Sequence, residues 1–288
     1  MLDLPLPCSS VRFDFSEEKF QTLAQERYPH KKMKISVLQT TGSTNADLLM
    51  QARAGSLPEG ESGQVQVLFA HSQQAGRGRL QRPWLSTAGQ CLMMSVATTL
   101  NVPVSALEGL PVATGGIIAK VLEHYDVTVQ IKWPNDLMVN RAKLGGILIE
   151  STPVSGTNRI GVVIGLGLNG RLDNATLMQL KHPAIDLSRL VKSEFSSLHL
   201  AIDLAAEITN LLTAADLSGK IAQIISTQVA LRDACKGEVV QLIDPFHPHA
   251  PPIAQGVVLG ITKNGGLQLN TAEGVQIFLS GEISLRWV

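Results

Sequence analysis

Several features that define whole classes of protein are scarce in this 288-residue sequence. It has three cysteines, Cys8, Cys91 and Cys235, which is an odd number, and they lack the spacing of metal ligands. This argues against a disulfide framework and predicts reduced cysteines in a cytoplasmic protein. Lysine plus arginine and aspartate plus glutamate both number 24, so no net charge draws the chain to nucleic acid or to an anionic membrane.

Long apolar runs are also scarce. We expect no segment with the roughly 20 apolar residues of a membrane span. The first 15 residues lack the order of a secretory signal, in which a basic segment leads into an apolar one. A hydrophobic content of 44% with 17% charged residues is typical of a globular protein, here long enough for one large and one small domain.

The stretch QIKWPNDLMVNRAKLGGILIE, residues 130–150, sets charged residues among apolar ones. Its pattern predicts strands at 127–133 and 143–150 with a short third strand between them. Pro134 ends the first strand because it has no N–H to donate. Lys132, Asp136 and Lys143 then surround one elbow, where burial of apolar residues would be easier than burial of charge. A functional site is one interpretation, and an ordinary strand–turn–strand unit is the other.

Residues 73–84 form a second unusual stretch, which follows a predicted strand at 65–70. Gly76 and Gly78 alternate with Arg77 and Arg79. Glycine lets the backbone fold tightly around a ligand, and arginine presents a fork of donors to phosphate or carboxylate. This favours an anion-binding loop. A flexible basic surface loop, or a short RNA-binding segment, remains the alternative.

The rest of the chain predicts an α+β protein. The strands after residue 127 are joined by only a few residues, so they should be antiparallel neighbours. Five short strands near the C-terminus, with a hairpin turn at 263–265, indicate a small β-barrel. Helices are predicted at 16–25, 45–53, 105–125, 186–217 and 221–232; other strands at 34–38, 91–98 and 159–168; barrel strands at 238–243, 254–262, 266–270, 276–280 and 282–288. We divide the chain into a leader (1–33), a catalytic domain (34–232) and a barrel (233–288).

Gly165, Gly167 and Gly170 spell G-x-G-x-x-G after a predicted strand. This fingerprint binds dinucleotides only within a βαβ unit. No clear helix begins at Gly170, and no apolar second strand follows. An NAD-dependent oxidoreductase is therefore a weak alternative, and the glycines more readily leave room for a ligand beside a strand.

Six motifs follow one another in an order typical of a known family: TGSTN (41–45), QQAGRGR (73–79), KWPND (132–136), KLGGILIE (143–150), GLGLN (165–169) and GEISLR (281–286). With them the chain resembles the biotin–protein ligases. The resemblance implies a mixed and largely antiparallel sheet with helices on one face, followed by an SH3-like barrel. Some relatives carry an N-terminal DNA-binding domain and also act as repressors. The short leader leaves no room for one, so we expect a ligase without repressor activity.

The resemblance also implies the chemistry. Biotin and ATP would form biotinyl-5′-AMP, and a lysine of a biotin carboxyl carrier protein would then accept the biotin. Mg²⁺ would be held mainly by the ATP phosphates, without a dedicated protein cage. The loop 73–84 should be mobile when empty and ordered over the adenylate. No nucleic-acid or membrane partner is expected.

The family motifs map onto three groups of candidate site residues. The catalytic group is Arg77, Lys143 and Asp136, the last to orient or deprotonate the incoming lysine. The biotin-binding group is Ser43, Thr44, Asn45, Gln73, Arg77, Gly78, Arg79, Lys143, Gly146, Gly165 and Gly167. The nucleotide-binding group is Arg79, Arg82, Trp84, Lys132, Asn135, Asn169 and Arg286.

The sequence departs from the family pattern at two places. After GRGR, relatives often continue with Arg and Gly, whereas here Leu80 and Gln81 intervene before Arg82. The segment His182-Pro183-Ala184 lacks the aromatic residue that stacks on adenine in the best-known ones. Two rival functions also remain: a lipoate or octanoate ligase, or octanoyltransferase, of the same fold, and a non-catalytic protein that senses biotin.

Overall fold

In the computed structural model, the described residues are Cys8 and residues 11–180, 182–192, 194–247, 249–279 and 283–288. Gly281 and Glu282 of the predicted GEISLR motif, part of the last predicted strand and Pro248 lie outside them, as does most of the start of the leader. Cys91 and Cys235 are buried and have free thiols, as predicted.

The larger of two sheets has seven strands in the order β1-β2-β3-β7-β6-β5-β4. Only β1 and β2 run parallel, and helix α2 (Thr44–Arg53) joins them. The other pairs are antiparallel, as the short connections predicted for the strands after residue 127. Gly165 and Gly167 of the glycine fingerprint lie inside antiparallel strand β7, and Gly170 directly follows it, so the dinucleotide-binding interpretation is wrong. The strands are β1 Lys32–Thr41, β2 Gln64–Gln73, β3 Cys91–Leu100, β4 Gln130–Lys132, β5 Asp136–Val139, β6 Ala142–Pro153 and β7 Ile160–Asn169.

In two places, the described helices are shorter than those that the apolar spacing predicted. The predicted helix 186–217 is wrong as a single element, because Ser196 and Asp216 each cap a new helix by accepting a backbone N–H. The predicted helix 105–125 begins only after Gly109, which has a left-handed φ of 74°. The helices are α1 Glu17–Arg27, α2 Thr44–Arg53, α3 Leu110–Glu123, α4 Asn174–Gln179, α5 Ser197–Leu212 and α6 Leu217–Ile224, followed by a π-helical turn at Ile225–Val229.

Strand β7 separates two faces of the large sheet. Its even-numbered residues, such as Val162 and Ile164, enter the main core with α3 and α5. Its odd-numbered residues face α2, and Val163 packs there with Leu48 and Ala52. The predicted fold class is confirmed, with α2 alone among the longer helices on the second face. That face carries the candidate site.

The second sheet has five antiparallel strands in the order β11-β10-β9-β8-β12, as the barrel pattern predicted. Its hairpin turn docks on the catalytic domain: the Trp133 indole Nε1–H donates to the Gly265 carbonyl at 2.9 Å, and Gly265 packs against Gly109. The barrel therefore lies directly against the KWPND elbow. The strands are β8 Val239–Ile243, β9 Ala254–Ile261, β10 Leu267–Thr271, β11 Gly274–Phe278 and β12 Ser284–Trp287.

One segment corrects an expectation about apolar runs. Within the described part of the chain, Val104–Glu123 is long and apolar enough to cross a membrane by length and composition. However, 61% of its most apolar window is buried inside the protein, where α3 packs against α5 and the sheet. A core helix meets the same criterion.

The described part of the leader packs into the main core. Phe13, Phe15 and Phe20 are buried in the main hydrophobic cluster. Helix α1, capped by Ser16 as predicted, also covers the outer edge of strand β1: Glu17 accepts from the Val37 N–H at 3.0 Å, and Gln21 donates to the Ile35 carbonyl at 3.2 Å. These contacts satisfy backbone groups that an edge strand would otherwise leave available for pairing with another chain.

Asp203 of α5 ties the leader to the catalytic domain. Its carboxylate accepts from the Arg27 guanidinium at 2.8 Å, the Tyr28 hydroxyl at 2.8 Å and the Tyr125 hydroxyl at 2.6 Å. We expect Asp203→Ala to lower the free energy of unfolding by about 2 to 3 kcal/mol, because three donors lose a charged acceptor. Chemical denaturation measures this.

The exposed ion pair between Lys192 and Asp126 provides the control. Lys192→Ala should leave the unfolding midpoint unchanged, since both partners are solvated. If the two variants unfold alike, Asp203 does not anchor the leader.

Candidate active site

A cavity of about 640 Å³ opens between the second face of the large sheet and the barrel. Every residue predicted for the site lines it, including those taken from motifs more than 200 positions apart. The segments that meet there include the start of α2, the arginine loop after β2, the elbow of β4 to β6, strand β7, residues 180 and 182–184, and strand β12 of the barrel. The structure thus brings the predicted residues together, and the role of each remains a prediction.

The cavity is strongly cationic. Among the described lining residues, Asp136 is the only carboxylate, and the basic side chains are Arg77, Arg79, Arg82, Lys132, Arg141, Lys143 and Arg286. Like charges that converge in a partly buried cleft repel one another, and an anionic ligand relieves that repulsion. The site is therefore suited to a ligand that carries several negative charges.

Lys143 and Asp136 form the ion pair at the centre of the cleft. The Lys143 ammonium lies 2.6 Å from an Asp136 carboxylate oxygen, and both side chains are about a third exposed. The register of the β5–β6 hairpin causes this meeting, since Asp136 is paired with Gly146 and a β-bulge follows. A Cβ at Gly146 would lie 3.3 Å from the Lys143 ammonium, so glycine gives that ammonium room to move.

The arginine loop folds into a small hairpin. The Gly78 N–H donates to the Arg82 carbonyl at 2.7 Å, and the Trp84 N–H donates to the Gly76 carbonyl at 2.9 Å. Arg79 is largely buried, which lowers the pKa of its guanidinium, and it reaches the Asn135 side-chain oxygen and the Ile283 carbonyl, each at 3.5 Å. The loop therefore contacts both the elbow and the barrel.

The tip of this hairpin carries the first departure from the family pattern. The Arg82 N–H bonds to the Arg79 carbonyl, and the two residues between them have left-handed backbones, with φ of 58° at Leu80 and 56° at Gln81. Such a two-residue turn favours Asn and Gly, because a side chain at positive φ is strained. The Gly that relatives often have in this part of the loop suits the observed turn. Leu80 and Gln81 adopt the same turn with a strained backbone.

We expect Gln81→Gly to stabilise the closed hairpin by about 1 kcal/mol by removing one left-handed side chain. Trypsin should then cleave the loop at its arginines roughly fivefold more slowly in the protein without substrates, because cleavage requires the loop to open. Timed digestion followed by mass spectrometry measures the rate.

Gln81→Ala is the matched control, since alanine loses the side-chain amide but keeps the strained backbone. Its cleavage rate should equal that of the parent. A glycine variant cleaved as fast as the alanine variant would show that strain at the tip does not limit closure.

A neutral polar network occupies the other end of the cleft. The Gln73 side-chain oxygen accepts from the Thr44 N–H at 2.8 Å, while Ser43 caps α2. Ser95, a fully buried residue of β3, lies 2.7 Å from both the Thr44 hydroxyl and the Asn45 side-chain oxygen. Nothing in the sequence pointed to Ser95, since it is one polar residue in an apolar strand.

The glycines of β7 also make room for side chains of this protein. We expected Gly165 and Gly167 to leave space for a ligand, and both line the cavity. In addition, a Cβ at Gly165 would collide with the Asn45 side chain, and one at Gly167 would lie 2.6 Å from the Trp84 ring. The glycines accommodate side chains of this protein, and those side chains in turn line the cavity.

Two asparagine side chains hold backbone rather than reaching freely into the cleft. Asn169 donates to the Lys143 carbonyl at 3.0 Å and to the Ile185 carbonyl at 3.1 Å. Asn135 donates to the Ile147 carbonyl at 2.7 Å. These bonds fix the strand that carries Lys143, so both residues at least orient the elbow.

The barrel and one loop contribute lining residues that the sequence analysis did not assign. Trp287 follows the predicted Arg286, and Arg141 lies in the left-handed turn between β5 and β6. His182 lines the cavity in the segment noted only for its missing aromatic; burial lowers its pKa, and nearby cations lower it further, which favours the neutral imidazole. For Trp287, the signal was its position next to a motif arginine.

Among the described residues, no group of three or more His, Cys, Asp or Glu side chains could hold a metal ion. The single carboxylate of the cleft is paired with Lys143. The donor set therefore fits Mg²⁺ only if phosphate oxygens of a nucleotide carry it into the site.

A mixed sheet, a small barrel and a cationic cleft between them suit a ligase that acts on anionic substrates. The protein-family model described as "Biotin/lipoate A/B protein ligase family" matches residues 23–169, and that of the "Biotin protein ligase C terminal domain" matches residues 251–286. The chain belongs to the biotin/lipoate A/B protein ligase family, and the recognition of a biotin–protein ligase from its motifs is confirmed.

Individual relatives agree. The chain is 32% identical to the bifunctional ligase/repressor BirA of Escherichia coli over 88% of this chain and 74% of that protein. It is 38% identical to the biotin–[acetyl-CoA-carboxylase] ligase of Mycobacterium tuberculosis over 47% of this chain and 48% of that one. A biotin protein ligase from Aquifex aeolicus, solved with biotin and ATP, shares the fold with a TM-score of 0.69, at 24% identity over 88% of this chain and 99% of that one.

Proposed function

We propose that this protein activates biotin with ATP as biotinyl-5′-AMP and transfers the biotin to a lysine of a biotin carboxyl carrier protein. The observation that carries the proposal is the convergence of seven basic side chains on one cleft that has a single carboxylate among its described residues. The family relationship narrows the acyl group to biotin, lipoate or octanoate, and the named relatives favour biotin. Repression of transcription is not part of the proposal.

In the first step, a carboxylate oxygen of biotin attacks the α-phosphorus of ATP, and the bond to the bridging oxygen breaks to release pyrophosphate. Both reactants are anions and repel each other until cations neutralise them. Lys143 would bridge the carboxylate of biotin and the α-phosphate. To do so, its ammonium must either break its ion pair with Asp136 or contact Asp136 and the substrates together. Arg77, Arg79 and Arg82 would clamp the reacting groups.

The two ends of the cleft suit different parts of the ligands. A ureido ring needs both donors and acceptors, and the neutral network around α2 offers them, whereas phosphates need cations. We assign the biotin ring to Ser43, Thr44, Asn45 and Gln73, the rest of biotin to the wall formed by Gly78, Gly146, Gly165 and Gly167, and the nucleotide to Trp84, Lys132, Asn135, Asn169 and Arg286. Mg²⁺ bound to the phosphates would supply further positive charge.

In the second step, the amine of the carrier lysine attacks the acyl carbon of biotinyl-5′-AMP, an amide bond forms, and AMP leaves with the electrons of the broken C–O bond. Free lysine has a pKa near 10.4 and must lose a proton to attack. Asp136 is the only described carboxylate of the cleft, and it is our candidate to orient the lysine or accept that proton.

Pyrophosphate exchange tests the first step. The protein is incubated with MgATP and labelled pyrophosphate, with biotin, lipoate or octanoate, and label entering ATP is counted. We expect exchange that depends on biotin. Exchange with lipoate or octanoate alone would make the protein a ligase for those acids. Biotin binding without exchange would indicate a sensor.

A further inference from the structure

Trp287 is a part of the cleft that comes from the barrel. It lies in strand β12, where it is paired with Val240 of β8, and its half-buried side chain lines the cavity. No motif of the sequence assigned it a role.

The indole ring contacts two cations of the catalytic domain. The Lys132 ammonium lies 4.2 Å from the ring centroid, and the Arg141 guanidinium carbon lies 5.5 Å from it. Both distances are within the range in which the electron-rich face of tryptophan attracts a cation. Arg141 is held separately, since it also pairs with Glu238 of the barrel at 2.9 Å.

Lys132 requires such a contact more than Arg141 does. Burial lowers the pKa of its ammonium, and Lys143 and Arg286 repel it, with Asp136 as the main opposing charge. Asp136 is itself paired with Lys143. The Asp136 carboxylate therefore stabilises the Lys132 cation only in part. The face of the Trp287 ring provides additional attraction.

The indole N–H supports this interpretation. The Trp287 Nε1 atom is buried and has no hydrogen-bond partner among the described residues, although a buried indole N–H usually finds one. No hydrogen bond of this N–H to a described residue therefore orients the ring, whereas its faces contact the cations of Lys132 and Arg141.

We propose that Trp287 is a positioning residue that holds the Lys132 ammonium in the cleft, so that the barrel completes the binding site for the nucleotide phosphates. This inference rests on the proposed function, because it presumes that the nucleotide binds beside Lys132. It makes the contact between barrel and catalytic domain part of substrate binding.

A double-mutant cycle tests the coupling. The variants are Trp287→Leu, Trp287→Phe, Lys132→Met and the double variant W287L/K132M. Trp287→Leu should raise the KM for MgATP in pyrophosphate exchange about fivefold, the effect expected from loss of a cation–π contact, and leave the KM for biotin within about twofold. Trp287→Phe keeps an aromatic face and should fall between. In the Lys132→Met background, Trp287→Leu should have almost no further effect.

Arg141 provides the matched control, as the second cation on the same ring. In an Arg141→Met background, Trp287→Leu should keep its full fivefold effect. Equal effects of Trp287→Leu with and without Lys132 would mean that it acts only through the packing of the barrel, and would overturn the proposal, as would an equal rise of both KM values.

Calorimetric titration of MgATP into the same variants separates this inference from the proposed function. A parent protein that binds MgATP but shows no exchange contradicts the proposed ligase function. The double-mutant cycle, evaluated with the Kd for MgATP, then still tests the role of Trp287. A parent that exchanges normally with an unchanged Trp287→Leu variant contradicts only this inference. A parent that neither binds MgATP nor exchanges overturns both.

Discussion

Replacing Lys143 with methionine should reduce biotin-dependent pyrophosphate exchange by about a thousandfold, the scale typical of one group that stabilises transition-state charge. Lys143 is the central cation of the cleft, and its ammonium has room to move because its neighbour Gly146 has no side chain. Without it, the biotin carboxylate and the α-phosphate would approach each other without a bridging charge. The loss should appear mainly in kcat, since the arginines still bind the ground state.

Two controls accompany this variant. Lys220→Ala removes an exposed lysine of α6 and should leave exchange unchanged. Thermal unfolding of Lys143→Met checks that the loss of the partner of Asp136 does not unfold the elbow. A folded Lys143→Met variant that retains more than a tenth of the exchange rate would remove Lys143 from the proposed mechanism.

Replacing Asp136 with asparagine should separate the two steps of the reaction. We expect transfer from preformed biotinyl-5′-AMP to a carrier domain to fall about a hundredfold, because the incoming lysine loses its proton acceptor. Pyrophosphate exchange should fall less than tenfold, since asparagine still offers an oxygen to Lys143 across the 2.6 Å contact. Single-turnover transfer and exchange are measured on the same preparation.

The pH dependence strengthens this test. The rate of transfer by the parent should rise with pH as the carrier lysine deprotonates. Transfer by Asp136→Asn should rise more steeply, because hydroxide must then replace the carboxylate as the proton acceptor. If exchange falls as much as transfer, Asp136 only holds Lys143. Unchanged transfer would remove it from the second step.

The sequence predicted the function of the arginine loop but not its conformation. The alternation of Gly and Arg in residues 73–84 predicted an anion-binding loop, because glycine geometry and guanidinium chemistry are local properties. The hairpin that this loop forms depends on Leu80 and Gln81 taking left-handed backbones, which neither residue favours alone. Contacts of Arg79 and Arg82 with the elbow and the barrel accompany that conformation.

The errors in the helical region have a similar cause. Apolar residues continue at helical spacing through residues 186–217. That spacing does not show that new helices begin after Ser196 and Asp216, whose side chains accept backbone N–H groups. The sequence also did not show that the β7 glycines make room for Asn45 and Trp84, because that depends on the packing of α2 and of the arginine loop.

The sequence by itself determined the order of the strands after residue 127, the barrel, the family and many of the residues that line the cleft. These follow from connection length, turn chemistry and motifs, all of which are local along the chain. Only the tertiary structure decided which charges meet: Asp136 with Lys143 across a hairpin register, Asp203 with the leader, and Trp287 of the barrel with Lys132. Such partners are up to 176 residues apart, and Coulomb and cation–π energies depend on distance in space, which the order of residues does not encode.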